Sequence, residues 1–325
     1  MKIKTLFLSL PVLLVSFYGT AQVKKDSIGT SAAVSKNSVI VTFETRPLFK
    51  RKGQFFCSWG YNRAFFSNSD IHLTGTGYDF SISNVTARDE HGGHDFLTYI
   101  KPTMFTIPQF NWRIGYYLND KTFITIGHDH MKYNMDKQVT LLTGKIKTGV
   151  NDGTYNNAEV LVGENVESAV YLPASVGALP TGFVSEFEHC DGLNDFTGEI
   201  GRIEQLWCSK NCKHAFSALG AVGLGMIIPD SDTDILGQPP KHDMQTGKKA
   251  YHLAGYSCSA SIGLQFDFFK HFFIQGKIKA GYMNLPDINT TVNGGKASQH
   301  FNFIEPYFQV GYTHSIGRQG RNIAQ

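Results

Sequence analysis

Apolar and polar positions alternate with a period of two along most of this chain. The clearest run is Tyr251–Phe268. His252, Ala254, Tyr256, Cys258, Ala260, Ile262, Leu264, Phe266 and Phe268 fall on one side, and Gly255, Ser257, Ser259, Ser261, Gly263, Gln265 and Asp267 on the other. Successive side chains of a strand point to opposite faces, so the run predicts a two-faced strand well beyond the usual five or six residues. An apolar face of that length, backed by a small polar one, suits a barrel with lipid outside and a polar lumen inside. The alternative is a soluble secreted β-domain, whose apolar face would lie against a second sheet.

The same alternation predicts eight strands, at about 53–68, 109–118, 121–134, 194–207, 214–228, 251–268, 272–285 and 300–316. In the second, Asn111, Arg113, Gly115 and Tyr117 share one face, and Phe110, Trp112, Ile114, Tyr116 and Leu118 the other. The connections near 119, 210 and 270 are short, whereas 69–108, 135–193, 229–250 and 286–299 are long. Short periplasmic turns and long extracellular loops are the rhythm of outer-membrane barrels. The expected fold is therefore all-β, a transmembrane antiparallel up-and-down barrel. Ten strands result if 71–87 or 157–170 enters the wall.

The N-terminus changes the picture by adding an address. Met1-Lys2-Ile3-Lys4 is basic, Leu6–Tyr18 is apolar, and Gly19-Thr20-Ala21 are small, as in a secretory signal peptide. This predicts a signal peptide at 1–21, a polar leader at 22–52, the barrel at 53–317 and a tail at 318–325. The leading apolar run is short for a membrane span, and no other run is long enough for a transmembrane helix. A closed barrel is then the structure that can cross a bilayer with its backbone paired. The expected location is the outer membrane of a Gram-negative-type envelope. The expected partners are outer-membrane lipid, lipopolysaccharide and the barrel-assembly machinery, with the chain itself a monomer. A formal charge of +3 gives no concentrated basic face for nucleic acid.

A narrow eight-stranded lumen is filled by side chains, and charges inside it need partners. The inward set holds Arg113, Lys277 and Lys279 against Glu199, Asp267 and Glu305, which predicts a lumen charge network. Of the five cysteines, Cys57 and Cys258 fall on the outward face, and Cys208 and Cys212 flank a turn where a disulfide fits an oxidising compartment.

Candidate chemistry gathers at the expected extracellular strand ends: Asp70, His72, His128, Asp129, His130, Glu188, His189 and Asp191. Three readings stand. These residues cap and order the long loops. Or two His with carboxylates hold a divalent metal, although alternation turns His128 and His130 outward. Or a His beside a carboxylate acts as general base in a hydrolase of outer-leaflet lipid or glycan. For that last role Ser67, Ser69 and Cys190 are nucleophile candidates by position alone, so enzyme activity is not the favoured reading. No other cofactor is indicated. The role expected first is a structural, adhesive or small-ligand-binding one at the surface.

Over about residues 53–317 the chain resembles the small bacterial outer-membrane barrel superfamily, with its OmpA-, OmpX- and OmpW-like barrels and its lipid A-modifying enzymes. The stretches Phe66–His72, Gly75–Phe80, Gly127–Tyr133 and Phe187–Asn194 look like signatures of an uncharacterised family within it. The chain departs from the small lipid A deacylases at His189-Cys190-Asp191, where no Ser stands two residues after the His.

Overall fold

The computed structural model describes residues 48–90, 96–101, 103–104, 106–163, 182–189, 192–241 and 249–315. The expected signal peptide, most of the leader, Cys190, Asp191 and the C-terminal tail lie outside the described residues.

The strands follow in chain order. The first five are β1 (Gln54–Asn62), β2 (Phe65–Phe66), β3 (Ser69–Gly75), β4 (Tyr78–Val85) and β5 (Ala87–Arg88). After a short helix, α1 (Phe96–Ile100), come β6 (Phe110–Tyr117), β7 (Thr122–Met131), β8 (Asn134–Met135), β9 (Gln138–Ile146) and β10 (Gly153–Val162). The chain continues through β11 (Val184–Glu188), β12 (Leu193–Cys208), β13 (Ala215–Pro229) and β14 (Asp232–Ile235). It ends with β15 (Gly255–Phe268), β16 (Phe272–Asn289) and β17 (Lys296–Ser315). No described helix is long and apolar enough to cross a membrane.

Eight of these strands form a ring in the order β1-β6-β7-β12-β13-β15-β16-β17, each antiparallel to its neighbours. The ring closes because β1 pairs with β6 on one side and with β17 on the other. Closure leaves no unpaired edge in the bilayer, where unsatisfied backbone groups are costly. Alternation sets the faces. On β16, Ile274, Ile278 and Ala280 are exposed, while Phe273, Gln275, Lys277 and Lys279 are buried. The chain is an all-β, antiparallel membrane barrel.

The stretches 71–87 and 157–162 do form strands, but outside the ring. β3 pairs with the upper end of β17, and β4, β9 and β10 continue from it as an extension of the wall. A second sheet has the order β14-β11-β8-β5. Ile71, Phe80, Leu142, Phe187, Ile235 and Phe301 belong to one buried cluster that joins these sheets to the upper strands. The long connections thus fold into a cap with its own apolar core.

Several expected boundaries shift, each for a local reason. The first strand, read as 53–68, breaks at Arg63 and Ala64. Its ladder partner there is Pro306, which has no N–H, so only the bond from Arg63 N to Pro306 O forms, at 3.1 Å. The third strand, read to Asn134, leaves the wall at Met131, and Asn134–Met135 pairs within the cap. The sixth begins at Gly255 rather than Tyr251. Ala254 is buried and bonded to Ile227 and Asp287 backbone, which breaks the parity that put His252 and Ala254 outward. The stretch 286–299, read as a loop, is mostly strand, because β16 and β17 stay paired past a bulge between Leu285 and Ile288.

Candidate functional site: lumen, cap and rim

The lumen is filled in layers. Near the short-turn end, Phe56, Tyr117, Phe123, Leu219 and Phe273 form an aromatic plug. Two glycines make room for it: a Cβ on Gly115 would strike the Phe56 ring, and one on Gly311 the Phe273 ring. Below the plug, Arg51 reaches in from the leader to bond Asp267 at 2.5 Å and Ser217 at 3.1 Å. Above it lies a charged layer. Arg113 grips Asp129 through two bonds of 2.8 and 2.9 Å and reaches Glu199 at 3.1 Å. Lys279 bonds Asp129 at 2.6 Å and Asp195 at 3.1 Å, with Glu305 at 3.9 Å. Asn62 donates to Glu305 at 2.7 Å, and Ser257 to Asp195 at 2.8 Å. Arg113, Lys279, Asp129, Asp195 and Glu305 are all essentially buried. Charges withdrawn from water this far are tolerable only when paired and hydrogen-bonded.

Lys277 differs from the expected pairing. It is buried, yet no carboxylate among the described residues lies within salt-bridge distance; its ammonium instead sits 5.6 Å from the Tyr307 ring centre and 5.9 Å from that of Phe123. Sequence reasoning missed Asp195, Asn62 and Arg51. Asp195 shares inward parity with Glu199, so the pattern carried a signal for it. Arg51 precedes the first strand, and no alternation marks it.

The eight rim candidates do not converge. Asp70 is exposed and accepts the backbone N–H of Asn84 at 2.7 Å. His72 is also exposed and bonds Asp79 at 2.8 Å across the β3–β4 hairpin. His128 and His130 stand on the outer face of β7 and both bond Asn194 Oδ1 at 2.9 Å. His128 also stacks on Phe196, and His130 on Phe110. Asp129, on the opposite face, belongs to the lumen layer. Glu188 ends β11, in the sheet of the cap. His189 is fully buried beneath it, with Nδ1 2.8 Å from Ser231 Oγ. Asp191 lies outside the described residues.

The bond to Ser231 is the one between a serine hydroxyl and an imidazole among the described residues. Both partners are buried, and no carboxylate bonds that imidazole. Burial holds the His189 pKa down at about 4, so the ring is neutral at pH 7. Nearby, burial pushes the Tyr133 phenol up to about 12, and its hydroxyl accepts from Gln299 at 2.6 Å. Ser69 accepts from the same amide at 2.8 Å and is buried, so it is no free nucleophile. These contacts bind the cap together. Among the described residues no group of three or more His, Cys, Asp or Glu is placed to hold a metal ion. Cys208 and Cys212, read as a disulfide candidate, stand as free thiols.

No family model and no curated protein matches the chain. Solved structures similar to it include the outer membrane protein OprG from Pseudomonas aeruginosa, at 9% identity and TM-score 0.37, covering 82% of this chain and 99% of that one. Another is Ail, the attachment invasion locus protein of Yersinia pestis, at 12% identity and TM-score 0.28, covering 81% and 99%. A third is the outer membrane protease OmpT from Escherichia coli, at 8% identity and TM-score 0.24, covering 80% and 96%. All three are small outer-membrane β-barrels.

Proposed function

We propose that this protein is a non-conducting outer-membrane barrel that serves as a surface recognition protein, with the folded cap as its binding element. One observation carries the reading: the lumen is closed in successive layers, while the long connections form a cap with a core of their own. An aromatic plug, the Arg113–Asp129–Lys279 layer and the cap core succeed one another along the barrel axis. A permeation path would require the ion pairs to part, and separating one buried pair costs about 3–5 kcal/mol. A hydrolase is less well supported, because the imidazoles are dispersed and the one bonded to a serine is buried.

The test has two arms. Refolded protein in planar bilayers should give no steady ionic conductance. Cells displaying the full chain should bind surface ligands that cells displaying a variant without residues 69–88 and 138–162 do not. Ohmic channels, or equal binding by both cell types, would overturn the proposal.

A further inference from the structure

The outer wall carries two hollows on the same pair of strands; the lower lies outside the cap, and the upper borders it through Ser69, Asp70 and Asn84. The lower is an apolar groove of about 960 Å³. Its floor is Gly276, which is exposed and leaves open space where a Cβ would stand. Leu264, Ile278 and Phe308 rise around it as half-exposed apolar walls. Pro306 lines it too, and Tyr61, Tyr99 and Arg63 close its upper end. There Tyr61 donates to the Tyr99 carbonyl at 2.5 Å, and Arg63 pairs with Asp89 at 2.5 Å. Aromatic and charged side chains of this kind mark the level where hydrocarbon meets headgroups.

The upper hollow is a notch of about 250 Å³ lined mainly by polar groups, among them Asp70, Asn84, Tyr282, His300 and Asn302. Tyr282 follows Ile278 by four residues on β16, so the notch stands roughly 13 Å above the groove along the strand. Between them the outward positions are Ala280 and Ile304, which face each other in the ladder. Backbone bonds hold the notch open: Ser67 N to Asn302 O at 2.8 Å and Asn84 N to Asp70 Oδ1 at 2.7 Å. No described residue bonds the Tyr282 hydroxyl, the His300 ring or the Asn302 side-chain amide, although the Tyr282 and His300 rings lie 6.1 Å apart.

We propose that this strip of β16 and β17 binds one sugar-headed lipid of the outer leaflet, with the headgroup in the notch and an acyl chain along the Gly276 groove. Order and spacing match such an amphiphile: a polar recess at headgroup height and an apolar channel directly below it. The notch chemistry selects the head. A carboxylate, amides, an imidazole and a phenol offer both donors and acceptors to hydroxyls, beside an aromatic ring for a sugar face. No Lys or Arg lines the notch, so a phosphate head finds no counter-charge there. The inference rests on the membrane location and not on what the cap recognises.

The experiment uses the refolded full chain in nanodiscs of phosphatidylethanolamine doped with equal trace amounts of monoglucosyl diacylglycerol and phosphatidylglycerol. Lipid that stays with the protein on gentle release is identified by native mass spectrometry. The expected result is one glucolipid per barrel. Gly276→Leu, which fills the groove, and the pair Tyr282→Ala with His300→Ala, which empties the notch, should each cut its retention about tenfold. Heat-modifiable gel mobility checks that each variant is folded, and the notch pair leaves the groove intact should Gly276→Leu fail to insert. Retention of phosphatidylglycerol in place of glucolipid, or equal retention by wild type and the folded variants, would overturn the proposal. Loss of cap binding in the cell assay would leave this result untouched.

Discussion

Lys277 and Lys279 sit two residues apart on one strand, on the same inward face and equally hidden, yet replacing each with Met should have opposite effects. Lys279→Met removes the ammonium that faces Asp129, Asp195 and Glu305 at 2.6, 3.1 and 3.9 Å. Asp129 keeps its two bonds from Arg113. Glu305 keeps the Asn62 amide, and Asp195 keeps only the Ser257 hydroxyl. Asp195 and Glu305 are thus both left buried with no cation among the described residues within salt-bridge distance, Asp195 having lost the closer contact, and breaking one side of a buried pair costs about 3–5 kcal/mol. Lys277→Met instead removes an ammonium with no carboxylate among the described residues within salt-bridge distance. It loses cation–π contacts worth about 0.5–2 kcal/mol, but it also relieves the burial of a lone ammonium, a penalty of several kcal/mol. Stability should hold or rise. The assay is urea unfolding of protein refolded in micelles, read by gel mobility without boiling. Adding Asp195→Asn to Lys279→Met should recover most of the loss, because the amide still accepts from Ser257 and the stranded charge is gone. A loss for Lys277→Met as large as that for Lys279→Met would refute the layer-by-layer account of the lumen. So would the absence of any rescue by Asp195→Asn.

Other outcomes follow from the same geometry. Ile278 is 55% exposed on the outer face, so Ile278→Lys places a charge in lipid and should cost about 2–4 kcal/mol if near the midplane; normal folding yield into vesicles would show that the face is misassigned. His189 titrates in the cap. Its folded pKa of about 4 lies below the ordinary 6.5, so the unfolded chain binds the proton first. Stability is full above pH 6.5 and is lost as pH falls toward 4, by roughly 3 kcal/mol from this one group. Hydrogen exchange of cap amides should quicken over that window, and His189→Gln should flatten the profile. An unchanged pH dependence in the variant would place the sensitivity elsewhere.

The alternation of side chains determined most of the barrel. A period of two fixes which face meets lipid, and a one-residue slip would invert every position. That is why the eight spans, their short turns and the inward lysines and carboxylates were legible from sequence. The pattern weakens where strands are short: β3, β4 and β9 still alternate, but over only seven to nine residues, and β10 and β11 alternate poorly, so the cap read as loops. It also could not tell Lys277 from Lys279, which share one parity. Only the ring closure, bringing β7 and β12 across the lumen from β16, decided which of them meets Asp129 and Asp195. The rim candidates failed to converge for a related reason. Sequence placed them at one height on the barrel, but height says nothing of direction: Asp129 turned into the lumen, His128 and His130 out toward the lipid, His189 under the cap, and His72 onto an exposed hairpin. The two wall hollows were illegible for the same cause. Gly276, Tyr282, His300 and Pro306 are ordinary outward residues along the chain, and only the register of β16 against β17 sets them side by side.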